Sequence, residues 1–240
     1  MYIEDILREL PRIVSRITGG RPTGVYAVVD GNVAGRFAPV LEAAGIEWMP
    51  FVAREERKSL EGLQEIVGWL LEREADRGAL LLGIGGGVTT DITAFAASVY
   101  KRGIKYALVP TTLLAQVDAS IGGKTGVNFH GYKNVIGTFG SPEAVIVAPQ
   151  VLDTLPAEEW HSGMAEVLKT LIIGDAEMYG EAVQGQCGAG TLGRFIRRCI
   201  GIKSAIVEAD RTEKGERMKL NLGHTLGHAV ESICLNAGRP

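Results

Sequence analysis

Leu80-Leu81-Leu82-Gly83-Ile84-Gly85-Gly86-Gly87-Val88-Thr89-Thr90-Asp91 decides the fold. An apolar run that ends in three glycines and continues into a helical pattern carrying Asp91 reads as a buried strand, a tight turn and a helix. Amides at a helix N-terminus attract phosphate, and glycines let a pyrophosphate approach within hydrogen-bonding distance. The turn alone leaves a second reading open, a strand-to-helix connection with no ligand. Its spacing is neither G-x-x-x-x-G-K-[ST] nor a G-x-G-x-x-G near the first strand, which disfavours a P-loop and an ordinary Rossmann site. The window Ala79 to Val99 is close to membrane-spanning length, yet its glycines and Asp91 argue for a core element. No membrane segment is expected.

Outward from this stretch, short β-branched runs alternate with helical patterns. The expected strands are Val25–Asp30, Ile46–Val52, Ala79–Ile84, Lys105–Val109 and Ala144–Ala148; the expected helices between them are Val33–Ala44, Ser59–Arg77 and Thr89–Lys101. That alternation means an α/β fold, with a Rossmann-like parallel sheet covered by helices over residues 1–155. From 156 to 240 the pattern is helical throughout, in Ala157–Ile173, Leu192–Ala209 and Leu220–Leu235, so an all-helical domain is expected there. The N-terminal residues read as an amphipathic helix, not as an export signal. Residues 111–143 read as a long connection rich in Gly, Thr, Lys and Asn, and long irregular segments in compact folds are usually functional.

Composition narrows the partners. The 240 residues hold 25 Lys+Arg and 28 Asp+Glu, so a net charge of −3 gives no general attraction to nucleic acid or anionic membrane, and any anion must be held locally. Glycine supplies 32 residues, nearly twice the ordinary share of about 7%. Three cysteines without C-x-x-C spacing (Cys187, Cys199 and Cys234) fit reduced thiols and a cytoplasmic location.

Several groups carry chemistry. Asp30 closes the first strand, where a carboxylate can accept from an adenosine ribose, and Glu55 and Lys58 follow the second; each read singly is equally a cap or a loop residue. His224 and His228 stand at i and i+4, a spacing that presents two imidazoles on one helix face for a divalent metal, or simply two satisfied polar side chains. Glu166 and Lys169 lie one turn apart within an apolar helix; a surface ion pair is the plain alternative, but a buried Glu needs a cation. Asp118, Lys124, Lys133 and Asn134 share a glycine-rich loop that suits a phosphate-bearing substrate.

Val109-Pro110-Thr111-Thr112-Leu113-Leu114-Ala115-Gln116-Val117-Asp118-Ala119-Ser120-Ile121-Gly122-Gly123-Lys124-Thr125-Gly126-Val127-Asn128, with Lys133-Asn134 and the run Asn221 to His228, resembles the signature of the 3-dehydroquinate synthases. The likeness covers nearly the whole chain in order. It implies an NAD-dependent, metal-dependent lyase, with zinc or cobalt, that cyclises a small-molecule sugar phosphate with loss of phosphate, in the shikimate pathway. By position, Glu166 and His224 resemble metal ligands. Asp118, Lys169, Lys203 and Glu213 resemble groups around the reacting hydroxyls, and Lys124, Asn134 and His228 resemble groups that hold phosphate. Arg217 and Asn221 resemble a carboxylate-recognition pair, and Arg102 resembles an arginine that reaches a neighbouring subunit's site, which implies a homodimer. The positions similar to NAD contacts are Asp30, Asn32, Glu55, Lys58, Gly86, Gly87, Asp91, Thr111, Thr112, Asn134 and Thr154.

Two positions depart from the family pattern: Thr90 and Arg54 stand where glycines are common. A third ligand, a His in an H-G-E motif, is expected about a dozen residues after His228, where this sequence reaches Pro240. The resemblance therefore leads us to expect weak metal binding and little turnover from these 240 residues. Related cyclases acting on neutral sugar phosphates, a glycerol-dehydrogenase-like enzyme and a nucleotide-binding chain without activity stay open as alternatives.

Overall fold

The computed structural model describes residues 1–240 except 4, 18–21, 189, 228, 229, 231, 232 and 234–240. The chain divides into two compact units, Met1–Met164 and Ala165–Pro240. In the first, strands β1 (Val25–Asp30), β2 (Glu47–Phe51), β3 (Leu80–Gly85), β4 (Lys105–Pro110) and β7 (Ala144–Val145) form a parallel sheet in the order β2-β1-β3-β4-β7. All six residues of β3 are buried, as a central strand covered on both faces requires. β7 stops at Val145, short of the expected Ala148, and β4 pairs with it only at Ala107 and Leu108.

Helices α1 (Ile6–Ile17), α2 (Gly31–Ala43), α3 (Leu60–Glu72) and α4 (Gly87–Val99) complete the layers. α3 begins where the Ser59 hydroxyl accepts from the Gly62 amide, and it buries Gly62, Ile66 and Leu70 at four-residue spacing. It ends at Glu72, five residues before the expected Arg77. α4 is buried on most sides: Thr89, Thr90, Ile92, Thr93, Ala96 and Ala97 are all inaccessible to solvent.

The long connection is not irregular. Residues 124–139 form an antiparallel hairpin of β5 (Lys124–Phe129) and β6 (Tyr132–Phe139), outside the main sheet. Its turn, His130-Gly131, has positive φ at both positions (49° and 82°), the two-residue geometry whose twist matches that of the flanking strands. Gly137 and Gly126 let the two strands approach: a Cβ on Gly137 would lie 2.1 Å from the Thr125 oxygen. Val127 is fully buried with Ile92, Phe95 and Ile66, so the hairpin closes over α4 and α3.

The second unit holds the larger part of α5 (Ala157–Gly174), then α6 (Ala176–Val183) and α7 (Leu192–Ala209). α6 starts on Asp175, whose carboxylate accepts from the Met178 amide and from Arg198; the amide first and the guanidinium second hold Asp175 below the usual carboxylate range. α7 buries Leu192, Phe195, Ile196, Cys199 and Ile202 on one face. The expected helix over 220–235 is interrupted at its start. Glu216–Asn221 is a 3-10 turn, and Gly223, at φ 81°, separates it from the α-helical residues 224–227. Among the described residues no helix is long and apolar enough to cross a membrane.

Candidate functional site

Topology places the candidate site of the first unit. β1 leads outward to β2 while β3 leads the other way to β4, and open parallel sheets bind ligands outside the carboxyl ends of the strands at such a reversal. The residues there are Asp30, which ends β1, and Gly85-Gly86-Gly87, which end β3 and start α4. Gly86 is the N-cap of α4 and can offer no side-chain oxygen to the first-turn amides, a cradle suited to an anion. The turn is close-packed: a Cβ on Gly85 would lie 2.8 Å from the Asp30 Cβ, and one on Gly86 would lie 3.0 Å from the Thr112 Cγ2. Thr111 extends the site through its amide, which donates to the Gly85 oxygen (2.9 Å). Thr90, in the place of a common glycine, fits by folding its hydroxyl back onto the Gly86 and Gly87 carbonyls, both at 3.1 Å.

The carboxylate of Asp30 already serves the fold. It is 6% exposed and accepts from the Asn32 amide through Oδ1 (2.9 Å), capping α2. Thr154 is exposed and accepts from Arg36 (3.3 Å).

Lys58 gathers the remaining expected nucleotide groups. It is 5% exposed, and its ammonium contacts Asp91 of α4 and donates to Asn134 Oδ1 of β6 (2.6 Å). Asn128 links the same parts from the other side. Its amide donates to the Lys58 oxygen (2.7 Å), its Nδ2 donates to Glu55 Oε1 (2.8 Å), and its Oδ1 accepts from the Asn134 amide (2.9 Å). Glu55, Lys58, Asp91 and Asn134, spread over some eighty positions, thus converge. The sequence reading missed Asn128, because in a segment read as an irregular connection an asparagine is an ordinary residue.

Of the other candidates in this unit, Lys124 and Lys133 are exposed on the hairpin, and Asp118 lies half-buried in the Ala115–Ala119 turn. Arg102 is exposed with φ 69° in the turn between α4 and β4. The thiol of Cys187, in the second unit, is pushed up to about 11 by burial, so it stays protonated at neutral pH.

The second unit gathers the expected metal groups. Glu166 and Lys169 of α5 form a largely buried ion pair (2.5 Å), so the exposed-pair reading is set aside. Lys169 Nζ also lies 3.5 Å from His224 Nε2, and His224 Nε2 is 4.0 Å from Glu166 Oε1. Bonds of about 2.0–2.2 Å in a tetrahedron set two donors roughly 3.4 Å apart, so a closure of about 0.6 Å would fit Glu166 and His224 around one ion. The ammonium of Lys169 already lies within reach of both. Among the described residues no three His, Cys, Asp or Glu side chains gather for a metal, and His228 lies outside the described residues. Lys203 (7% exposed) and Arg217 (3%) are buried, Arg217 donating to the Arg211 oxygen (2.9 Å). Asn221 donates to Glu213 Oε1 (2.8 Å).

A Rossmann-like parallel domain with a triple-glycine turn, followed by a helical unit that carries a Glu/Lys/His cluster, is the architecture of the α/β class with a helical second unit. Profiles of the 3-dehydroquinate synthase N-terminal and C-terminal domains match residues 48–162 and 163–237. The chain is 41% identical to a 3-dehydroquinate synthase from Halalkalibacterium halodurans, over 93% of this chain and 64% of that one. It is 42% identical to the enzyme of that name from Acetivibrio thermocellus, over 97% and 67%. The chain belongs to the 3-dehydroquinate synthase family, and it spans about two thirds of the length of these relatives.

Among solved structures, 2-epi-5-epi-valiolone synthase from Streptomyces hygroscopicus, with NAD+ and Zn2+ bound, is 29% identical at TM-score 0.82, covering 93% of this chain and 65% of that one. A 2-deoxy-scyllo-inosose synthase complexed with carbaglucose-6-phosphate, NAD+ and Co2+ is 25% identical at TM-score 0.86, covering 97% and 67%. An iron-containing alcohol dehydrogenase from Thermococcus thioreducens, 17% identical at TM-score 0.64, shares the fold.

Proposed function

We propose that this chain supplies the nucleotide site and part of the metal and substrate site of a 3-dehydroquinate synthase. That enzyme, a carbon–oxygen lyase, converts 3-deoxy-D-arabino-heptulosonate 7-phosphate to 3-dehydroquinate and phosphate, a step toward the aromatic amino acids. The observation that carries the reading is the convergence of Glu166 and Lys169 with His224, 55 positions beyond Lys169, in a chain matched by both family profiles. Bound NAD would supply removal and return of a hydride, and a divalent metal, zinc or cobalt, would make a substrate hydroxyl more acidic.

Residues 1–155 would carry the nucleotide: the amides of Gly86 and Gly87 facing the pyrophosphate, Asp30 and Asn32 the ribose, and the Lys58–Asp91–Asn134 group, with Glu55, the remainder. Thr111, Thr112 and Thr154 would line the same edge. Residues 156–240 would carry Glu166 and His224 for the metal, with Lys169, Lys203 and Glu213 for the hydroxyls and their protons; Asp118, in residues 1–155, resembles a group of the same kind. Arg217 with Asn221 would take the substrate carboxylate, and Lys124, Lys133, Asn134 and His228 its phosphate. Arg102 would act in a partner's site, in a cytoplasmic homodimer that needs neither nucleic acid nor membrane.

Phosphate release with NAD and zinc present tests this, with the keto-acid sugar phosphate compared against phosphorylated neutral sugars. Such release as these residues give, expected to be small, should come from the keto-acid alone and without accumulating NADH; accumulating NADH refutes a cyclase, and preference for a neutral sugar points to a related one.

A further inference from the structure

β6 does not run in register with β5 along its length. Val127 pairs with Ile136 and Phe129 pairs with Tyr132, which leaves the single residue Asn128 opposite Lys133, Asn134 and Val135. Bulges of this kind re-aim side chains and are common beside functional sites. Here the bulge turns Asn134 into the left-handed region, φ 53°, and takes its amide out of the strand ladder. A strand amide with no ladder partner needs another acceptor. Asn128 Oδ1 provides it at 2.9 Å, while its Nδ2 holds Glu55 Oε1 at 2.8 Å and its backbone amide holds the Lys58 oxygen at 2.7 Å. One side chain thus fixes residues on both sides of the Lys58 ammonium, which meets Asn134 Oδ1 at 2.6 Å.

We propose that Asn128 is a positioning residue of the nucleotide site, which acts by holding Asn134 and Glu55 so that the Lys58 ammonium is set in place, and which touches neither cofactor nor substrate. The proposal rests on the reading that these groups bind NAD. An amide is required: alanine leaves the Asn134 and Glu55 groups without their partner, and an aspartate still accepts from the Asn134 amide but opposes the Glu55 carboxylate with a second negative charge. The Lys58 oxygen is held by backbone, so it persists in both variants and keeps the turn attached.

NAD affinity, measured by calorimetry on the unmodified chain, Asn128→Ala, Asn128→Asp and each in a Lys58→Met background, tests this. Loss of two hydrogen bonds predicts about tenfold weaker binding for Asn128→Ala, with Asn128→Asp as weak or weaker. In the Lys58→Met background the same changes should cost less than threefold, because a residue that acts through Lys58 has nothing left to position. A merely structural role would lower affinity by the same factor in both backgrounds, and that result overturns the proposal. Asn128→Ala and Asn128→Asp both binding as the unmodified chain does overturns it as well. An unmodified chain that binds no NAD refutes the nucleotide reading itself, a distinct failure.

Discussion

Removal of Asp91 should unsettle the first unit as much as it weakens nucleotide binding. The Lys58 side chain is 6% exposed and that of Asp91 is 20%, so their contact lies largely out of water. Stripping one partner from a buried ion pair costs about 3–5 kcal/mol, because the remaining charge keeps its desolvation penalty and loses its compensation. Asn134 Oδ1 stays on the ammonium, and the partial exposure of Asp91 admits some water, which sets Asp91→Ala at the low end, about 3 kcal/mol. For a domain of this size that is a fall of roughly 6–12 °C in melting temperature. Lys58→Met with Asp91→Leu removes both charges and fills the space with apolar atoms, and replacing a buried pair in this way is commonly near neutral. The double variant should thus melt well above Asp91→Ala, although it also binds NAD poorly. Urea titration followed by tryptophan fluorescence reads this unit directly, since Trp48, Trp69 and Trp160 all lie within Met1–Met164. If Asp91→Ala loses less than about 1 kcal/mol, the pair is no more than an exposed one and the argument fails. A double variant as unstable as the sum of its singles would also refute it, since it would show no coupling between the two charges.

Lys169→Met should tighten zinc binding by about tenfold, because the ammonium competes with the metal for Glu166, and like charges this close repel strongly in a half-buried site; competition against a chromophoric chelator measures it, and unchanged or weaker affinity refutes it. Tyr106 donates to the Gly140 oxygen (2.7 Å), and burial pushes its phenol up to about 12, above the ordinary 10 of an unfolded chain. Its contribution is therefore complete below pH 10 and lost as the pH rises from 10 to about 12, so Tyr106→Phe should flatten the alkaline fall in stability while it costs about 1 kcal/mol at pH 7. Denaturant midpoints across that window check both signs. Gly137→Ala would force a Cβ to within 2.1 Å of the Thr125 backbone oxygen, which cannot rotate away, so the hairpin must shift and the change should cost more than about 1 kcal/mol. A melt equal to that of the unmodified chain would show that the strands are not held this close.

The parallel sheet was legible because its strands are short apolar runs bounded by turn residues, and β1 and β4 fall within a residue of the expected spans. The hairpin was not. Lys124, Asn128, Lys133 and Asn134 interrupt any alternation of apolar and polar residues in it, and its buried residues are the consecutive Thr125, Gly126 and Val127. What shapes it is a two-residue turn with glycine second and a pair of facing glycines, signals that in sequence look like loop composition. The break at Gly223 was hidden in the same way: apolar residues at helical spacing continue across it, while a φ of 81° ends the preceding turn.

Candidate site residues are legible in a sequence by type sooner than by geometry, and the backbone explains why. Six non-glycine residues adopt positive φ among those described, and three of them, Arg102, Asn134 and Glu213, are site candidates. Such conformations cost about 1–2 kcal/mol for most L-residues, so no local propensity points to them and the surroundings must hold them. Asn134 is held by Asn128. Glu213 lies in a loop clamped by Asp210, whose carboxylate accepts from the amides of Lys214, Gly215 and Arg217, bonds that keep it ionised below the usual carboxylate range. The Asn221 amide then fixes the Glu213 side chain itself. In both cases an unremarked polar residue, three to six positions from the candidate, sets a conformation that the candidate would not choose. A residue whose role is to hold another is invisible to a reading that looks for nucleophiles, ligands and phosphate contacts, and it becomes visible only when each strained backbone is asked what restrains it.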